Sequence, residues 1–165
     1  MRASIIYASQ SGNTEKAARF ISDGMEQAEQ IDVRLFNINN DAAIDVEFVN
    51  NSTIVIFGTP TYYANMCWQL KRWFDTGCNG CNLDGKIGGA FATENSPHGG
   101  GAELAIMSII GHMLVKGMLI YSSGASQGMP KIHIGPAIVR DALEERKALC
   151  NIFGARLARK AKELF

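Results

Sequence analysis

The residues best placed to do chemistry in this 165-residue chain form one short run, Ser9-Gln10-Ser11-Gly12-Asn13-Thr14. Ser9, Ser11 and Thr14 supply hydroxyl donors, and Gly12 lets the backbone come close to a ligand. The run follows an apolar strand, Ser4-Ile5-Ile6-Tyr7-Ala8, and leads into a helical pattern that begins near Asn13. A strand that feeds a helix through such a turn aims free backbone N–H groups at one point, where the helix dipole also favours an anion. No Lys or Arg lies inside the turn. A triphosphate loop would read G-x-x-x-x-G-K-[ST], with a lysine for the outer phosphates. Neutral donors suit a single terminal phosphate, and so a mononucleotide such as FMN. The plainer alternative is a capped helix start, but a cap needs only one such residue.

Two further loops have the composition of a cofactor frame. In Gly58-Thr59-Pro60-Thr61-Tyr62-Tyr63-Ala64-Asn65-Met66, Pro60 stiffens the turn, and Tyr62 and Tyr63 offer faces on which a flat, electron-poor flavin ring can stack. The alternative is one tyrosine packed inward and the other merely exposed. In Thr93-Glu94-Asn95-Ser96-Pro97-His98-Gly99-Gly100-Gly101, successive glycines permit close approach and present N–H donors to ring carbonyls. His98 is either a donor to a flavin oxygen, a group that handles a proton during substrate reduction, or an ordinary exposed loop histidine. His98 and Tyr63 are the candidate catalytic residues. His112 and His133 read as structural.

These loops need a scaffold that brings them together. Strands are predicted near Ala3–Ala8, Asp32–Asn37, Thr53–Gly58, Lys86–Thr93 and Met118–Ser122. Helices are predicted near Thr14–Gln27, Asn65–Asp75, Gly101–Val115 and Arg140–Glu163, with a short segment at Asp45–Asn50. Runs such as Ile54-Val55-Ile56-Phe57 are apolar throughout, as expected where helices cover both faces of a sheet. Alternating strands and helices imply an α/β, doubly wound, five-stranded parallel sheet with right-handed crossovers. Its ligand belongs at the carboxyl ends of the strands, where the turns after strands one, three and four meet. The chain reads as a single domain over residues 1–165. Ser123–Pro136 departs from this regularity and reads as a surface connection, a flap over the cofactor or a subunit contact.

Composition narrows the function. Sixteen basic residues balance sixteen acidic ones, which removes any global electrostatic case for nucleic acid or an anionic membrane. The most apolar region, Leu104–Tyr121, is interrupted by Gly111, His112, Lys116 and Gly117, so no membrane span is expected. Neither is a signal peptide, and the expected location is cytoplasmic. Cys78-Asn79-Gly80-Cys81 has dithiol spacing but precedes a strand, where no helix dipole activates a thiol. Cys67 and Cys78 bracket a helix of roughly 16 Å, beyond disulfide reach. With Cys150 these read as reduced thiols, a regulatory disulfide and a cluster being the alternatives; no metal site is expected.

The three loops resemble a known group. Ser9 to Thr14 is similar to the flavodoxin-type phosphate loop [ST]-x-[ST]-G-[NQ]-T. GTPTYYANM and Pro97-His98-Gly99-Gly100-Gly101-Ala102-Glu103 resemble segments of the tryptophan-repressor-binding-protein type of flavodoxin-like NAD(P)H:quinone oxidoreductases and the NADPH-dependent FMN reductases. The likeness runs from about Met1 to Ser122. It implies a flavodoxin-like sheet of order 2-1-3-4-5. It also implies FMN bound non-covalently, its phosphate at Ser9, Gln10, Ser11, Gly12, Asn13 and Thr14. The ring would lie between Pro60, Thr61, Tyr62, Tyr63, Ala64 and Asn65 on one side and Thr93, Glu94, Asn95, Ser96, Pro97, His98 and Gly99 on the other. NAD(P)H would be the co-substrate, a quinone or flavin the acceptor, and the assembly a homodimer or homotetramer. Where that group carries a His-Gly pair, this chain has Lys116-Gly117. The rival is a flavodoxin-type electron carrier serving a redox partner protein. Such carriers tend to be acidic, and the balanced charge here favours the oxidoreductase.

Overall fold

Strands that are apolar on both faces must be covered on both, and the computed structural model, which describes residues 1–39 and 44–165, does this with two helical layers. β1 (Arg2–Tyr7) lies between β2 (Asp32–Asn37) and β3 (Ile54–Tyr62), parallel to each. Alternate side chains go to opposite layers. Ala3, Ile5, Tyr7, Ile54 and Ile56 join the core made with α1 (Asn13–Glu29) and α5 (Lys147–Leu164). Ile6, Ala8, Val55 and Phe57 pack with α3 (Trp68–Arg72) and α4 (Ala102–Val115), through Leu70, Ile106 and Ile109. Each fully buried Ile or Phe contributes about 1.5–3 kcal/mol. Between β2 and β3, the short α2 (Val46–Asn50) starts where Asp45 Oδ1 accepts from the Phe48 amide at 2.9 Å.

α1 and α5 touch backbone to backbone. A Cβ on Gly24 would lie 2.0 Å from the Asn151 carbonyl oxygen, and one on Gly154 would lie 2.1 Å from that of Ile21. Only glycine fits at either crossing.

The sheet runs β2-β1-β3-β5-β6, with β5 at Ile87–Glu94 and β6 at Leu119–Ile120, which is the expected 2-1-3-4-5 order for the five main positions. The expected strand count needs correction, because the described residues form seven strands. β4 (Asn65–Met66) folds back on β3 as a hairpin, and the fifth position is shared by two short strands. β6 pairs with the start of β5, whereas β7 (Ala137–Val139) pairs with its end, in the register Ala92–Ala137 to Glu94–Val139. The Ser123–Pro136 stretch is the connection that loops out between them. Arg156 pins it, donating to Ser123 Oγ and to the carbonyls of Gln127, Met129 and Pro130 at 3.0–3.1 Å.

Two helix boundaries also move. The helix expected from Asn65 starts only at Trp68, because Asn65 and Met66 are taken up in the hairpin and the Cys67 amide donates to Thr59 Oγ1 at 2.9 Å. It ends in a π-helical turn, Trp73–Gly77. The last helix starts at Lys147 and not Arg140, since a 3-10 turn at Arg140–Ala142 first carries the chain off the end of β7.

Candidate functional site

The turns after β1, β3 and β5 converge at the carboxyl edge of the sheet. They line a narrow cleft of about 140 Å³. From the first turn come Gln10, Ser11, Asn13 and Thr14; from β3, Pro60, Thr61 and Tyr62; from β5, Thr93, Glu94 and Asn95. These are ten of the residues expected from sequence, brought together by parallel pairing that sets Pro60 beside Thr93.

The first turn is held from below. Asn37, the last residue of β2, clamps Ser9 in both directions: its Oδ1 accepts from the Ser9 amide at 3.1 Å, and its Nδ2 donates to the Ser9 carbonyl at 3.0 Å. Ser9 is buried, and its Oγ accepts from the Glu15 amide at 3.3 Å, so it braces the turn and does not line the cleft. Gly12 precedes α1 with φ +87°, a left-handed conformation that side chains rarely adopt, and open space surrounds the position of a Cβ. Gly12 has no side chain to cap α1, so apart from the Glu15 amide, which Ser9 Oγ takes, its first N–H groups remain available to an anion.

The β3 arm ends in a strained turn. Tyr62 pairs with Asn65, leaving Tyr63 and Ala64 as a two-residue hairpin loop with φ of 50° and 59°. That is the geometry of a type I′ turn, usually made with Asn and Gly. Tyr62 is half exposed on the cleft, while Tyr63 stands fully in solvent at the turn's tip. Pro60 lies within the strand and not in the turn. Thr61 Oγ1 is buried and has no hydrogen-bond partner. A buried hydroxyl left unpaired at a cleft wall fits a polar ligand that supplies the missing partner.

In the β5 arm, Glu94 Oε2 accepts from the Ala102 amide at 2.9 Å and so fixes the start of α4. Gly101 packs against Ala64, joining this loop to the strained turn. Ser96, Pro97, His98 and Gly99 lie outside the cleft, and so do Ala64 and Asn65. His98 is exposed, and its amide donates to Ser96 Oγ at 3.3 Å. The two candidate catalytic residues, Tyr63 and His98, are therefore exposed and do not line the cleft.

Sequence reasoning missed two residues, Asn37 and Arg140. An amide side chain at the carboxyl end of β2, beside the first turn, was a usable signal for the first. Arg140 lines the same cleft from the far side, and no local pattern announces it.

The remaining reactive groups lie elsewhere. Cys67, Cys78 and Cys150 are buried and Cys81 is partly buried; all four are free thiols. Burial and the neighbouring Cys78 push the Cys81 thiol up. Among the described residues no group of three His, Cys, Asp or Glu side chains is placed to hold a metal ion, and no helix is long and apolar enough to cross a membrane.

Comparison with known proteins agrees with this fold. The flavodoxin family model matches residues 5–101. A flavodoxin of Clostridium saccharobutylicum is 42% identical over 165 residues, covering 100% of both chains. A flavodoxin of Aquifex aeolicus is 32% identical over 93% of this chain and 83% of its own. An NAD(P)H dehydrogenase (quinone) of Archaeoglobus fulgidus is 27% identical, over 99% of this chain and 98% of its own. In fold, the chain superposes on a flavodoxin, WrbA-like protein from Agrobacterium tumefaciens with a TM-score of 0.78, at 23% identity and 98% coverage of each.

Proposed function

Because this chain belongs to the flavodoxin family, we propose that it is an electron carrier that holds FMN non-covalently and exchanges electrons with redox partner proteins. The observation that carries the reading is the cleft itself. The free amides at the start of α1, the Ser11 hydroxyl and the unpartnered Thr61 Oγ1 surround one small polar space at the carboxyl edge of the sheet. A phosphate monoester fits that space, and the cleft is too small to enclose a tricyclic ring. The ring belongs along the open rim, beside Tyr62 and the Asn95–Gly99 loop.

When bound, FMN supplies one- and two-electron redox chemistry that no side chain here can perform. The protein's part is placement. Residues 10–14 anchor the phosphate end, and the half-exposed Tyr62 covers apolar ring area. Tyr63 and the His98 loop leave an edge open to a partner. An exposed edge suits transfer between proteins, because electrons cross without a substrate pocket. In this reading Tyr63 and His98 shape the opening and hold no catalytic role, and the protein works in the cytosol.

The oxidoreductase expected from sequence, with NAD(P)H as donor and a quinone or flavin as acceptor, is the second reading. The Archaeoglobus relative supports it at lower identity. Balanced charge was a poor discriminator, since net charge governs docking and not cofactor chemistry. Anaerobic mixing of FMN-loaded protein with NADH or NADPH separates the two. We expect the flavin absorbance to persist with both. Rapid bleaching by either nucleotide would establish the oxidoreductase.

A further inference from the structure

The phosphate turn contains no positive charge, yet the ligand proposed for it is a dianion. The charge comes from elsewhere in the fold. Arg140 lines the same cleft as Gln10, Ser11, Asn13 and Thr14. Three independent contacts hold the elements around it. β7 pairs with β5 up to Glu94–Val139, which places Arg140 one residue past the last rung at the carboxyl edge. Thr14 Oγ1 and Thr93 Oγ1, 2.8 Å apart, tie the start of α1 to the end of β5. Lys16, in the first turn of α1, forms an ion pair with Glu144, just beyond Arg140.

The side chain has donors to spare. Arg140 Nε donates to Asp141 Oδ1 at 2.9 Å, while its two terminal nitrogens have no acceptor among the described residues. A guanidinium keeps its charge at any working pH and offers a planar fork that matches phosphate oxygens.

We propose that Arg140 is a positioning residue for the cofactor: it closes over the FMN phosphate from the β7 side and supplies the positive charge that the turn lacks. This rests on FMN being the ligand. The two short strands in the fifth position of the sheet then acquire a purpose, because β7 returns the chain to the binding edge and delivers the arginine. Since Arg140 is exposed, its effect is modest and screened by salt.

The test compares FMN with riboflavin, which lacks the phosphate, by fluorescence titration of apoprotein and of Arg140→Gln. We expect the substitution to weaken FMN binding roughly five-fold at low salt, the scale of an exposed charge pair. Riboflavin binding should stay within two-fold, and the FMN loss should shrink at high salt. An equal change for both ligands, or none for FMN, would overturn the role of Arg140 while leaving the cofactor assignment intact. Failure of the unmodified protein to bind FMN would overturn both. Circular dichroism of Arg140→Gln guards against a folding defect, and Arg140→Lys should recover part of the FMN affinity.

Discussion

The hydroxyls of Thr14 and Thr93 lie 2.8 Å apart, both buried, and join the first turn of α1 to the end of β5 across the floor of the cleft. Replacing one by the near-isosteric valine leaves the other hydroxyl buried without its partner. That costs about 1–3 kcal/mol, more than the net worth of the bond itself. Thr14→Val and Thr93→Val should each lower the stability of the cofactor-free protein by this amount in urea titrations. The double substitution should cost less than the sum of the two. Strict additivity would mean that the pair does not link the two loops.

Gly12 tests backbone and charge separately. Its Cβ position is open, so Gly12→Ala meets no obstacle and pays only for a left-handed conformation, about 1 kcal/mol. Gly12→Asp pays the same cost and adds a negative charge against the ligand's phosphate. Fluorescence titration should show FMN affinity falling only a few-fold in Gly12→Ala and by well over ten-fold in Gly12→Asp. Matching affinities in the two variants would remove the phosphate from the turn.

The Tyr63–Ala64 turn explains a boundary that sequence reasoning misplaced. Its φ values of 50° and 59° demand residues such as Asn and Gly, and neither is present, so nothing announced a hairpin. The main sheet was legible because runs such as Ile54-Val55-Ile56-Phe57 are apolar at every position, and only a doubly covered strand tolerates that. β6 and β7, at two and three residues, are too short to show a period. Their pairing is dictated by β5 and by the loop that Arg156 holds. The phosphate turn could be read because its donors are consecutive in the chain. Arg140 could not, because only the folded sheet brings it near them.

The strain in that turn can be measured. Ala64→Gly relieves one left-handed alanine and should stabilise the apoprotein by about 0.5–1 kcal/mol in denaturant titrations. A destabilisation would show that the Ala64 methyl's packing on Gly101 outweighs the conformational relief.

Alkali probes the core beneath the site. Burial pushes the Tyr7 phenol up to about 12, with Glu15 adding to the shift and Arg19 opposing it. Burial likewise raises the Cys150 thiol to about 12, with Arg146 opposing. Both groups stay neutral in the fold, whereas in the unfolded chain they ionise near their ordinary values, roughly 10 for the phenol and 8.5 for the thiol. Between those values and about 12 the native state holds protons that the unfolded state has lost, so stability falls as pH rises. It is fully present below about pH 8 and declines toward pH 12, by on the order of 2–3 kcal/mol for Tyr7 and 4–5 kcal/mol for Cys150. Urea midpoints taken under reducing conditions from about pH 8 to pH 11 should fall steadily. Cys150→Ala, although less stable at neutral pH because of the cavity it leaves, should show a flatter decline where the thiol titrates first. A decline equally steep in the variant would mean that Cys150 ionises at its ordinary value in the native core.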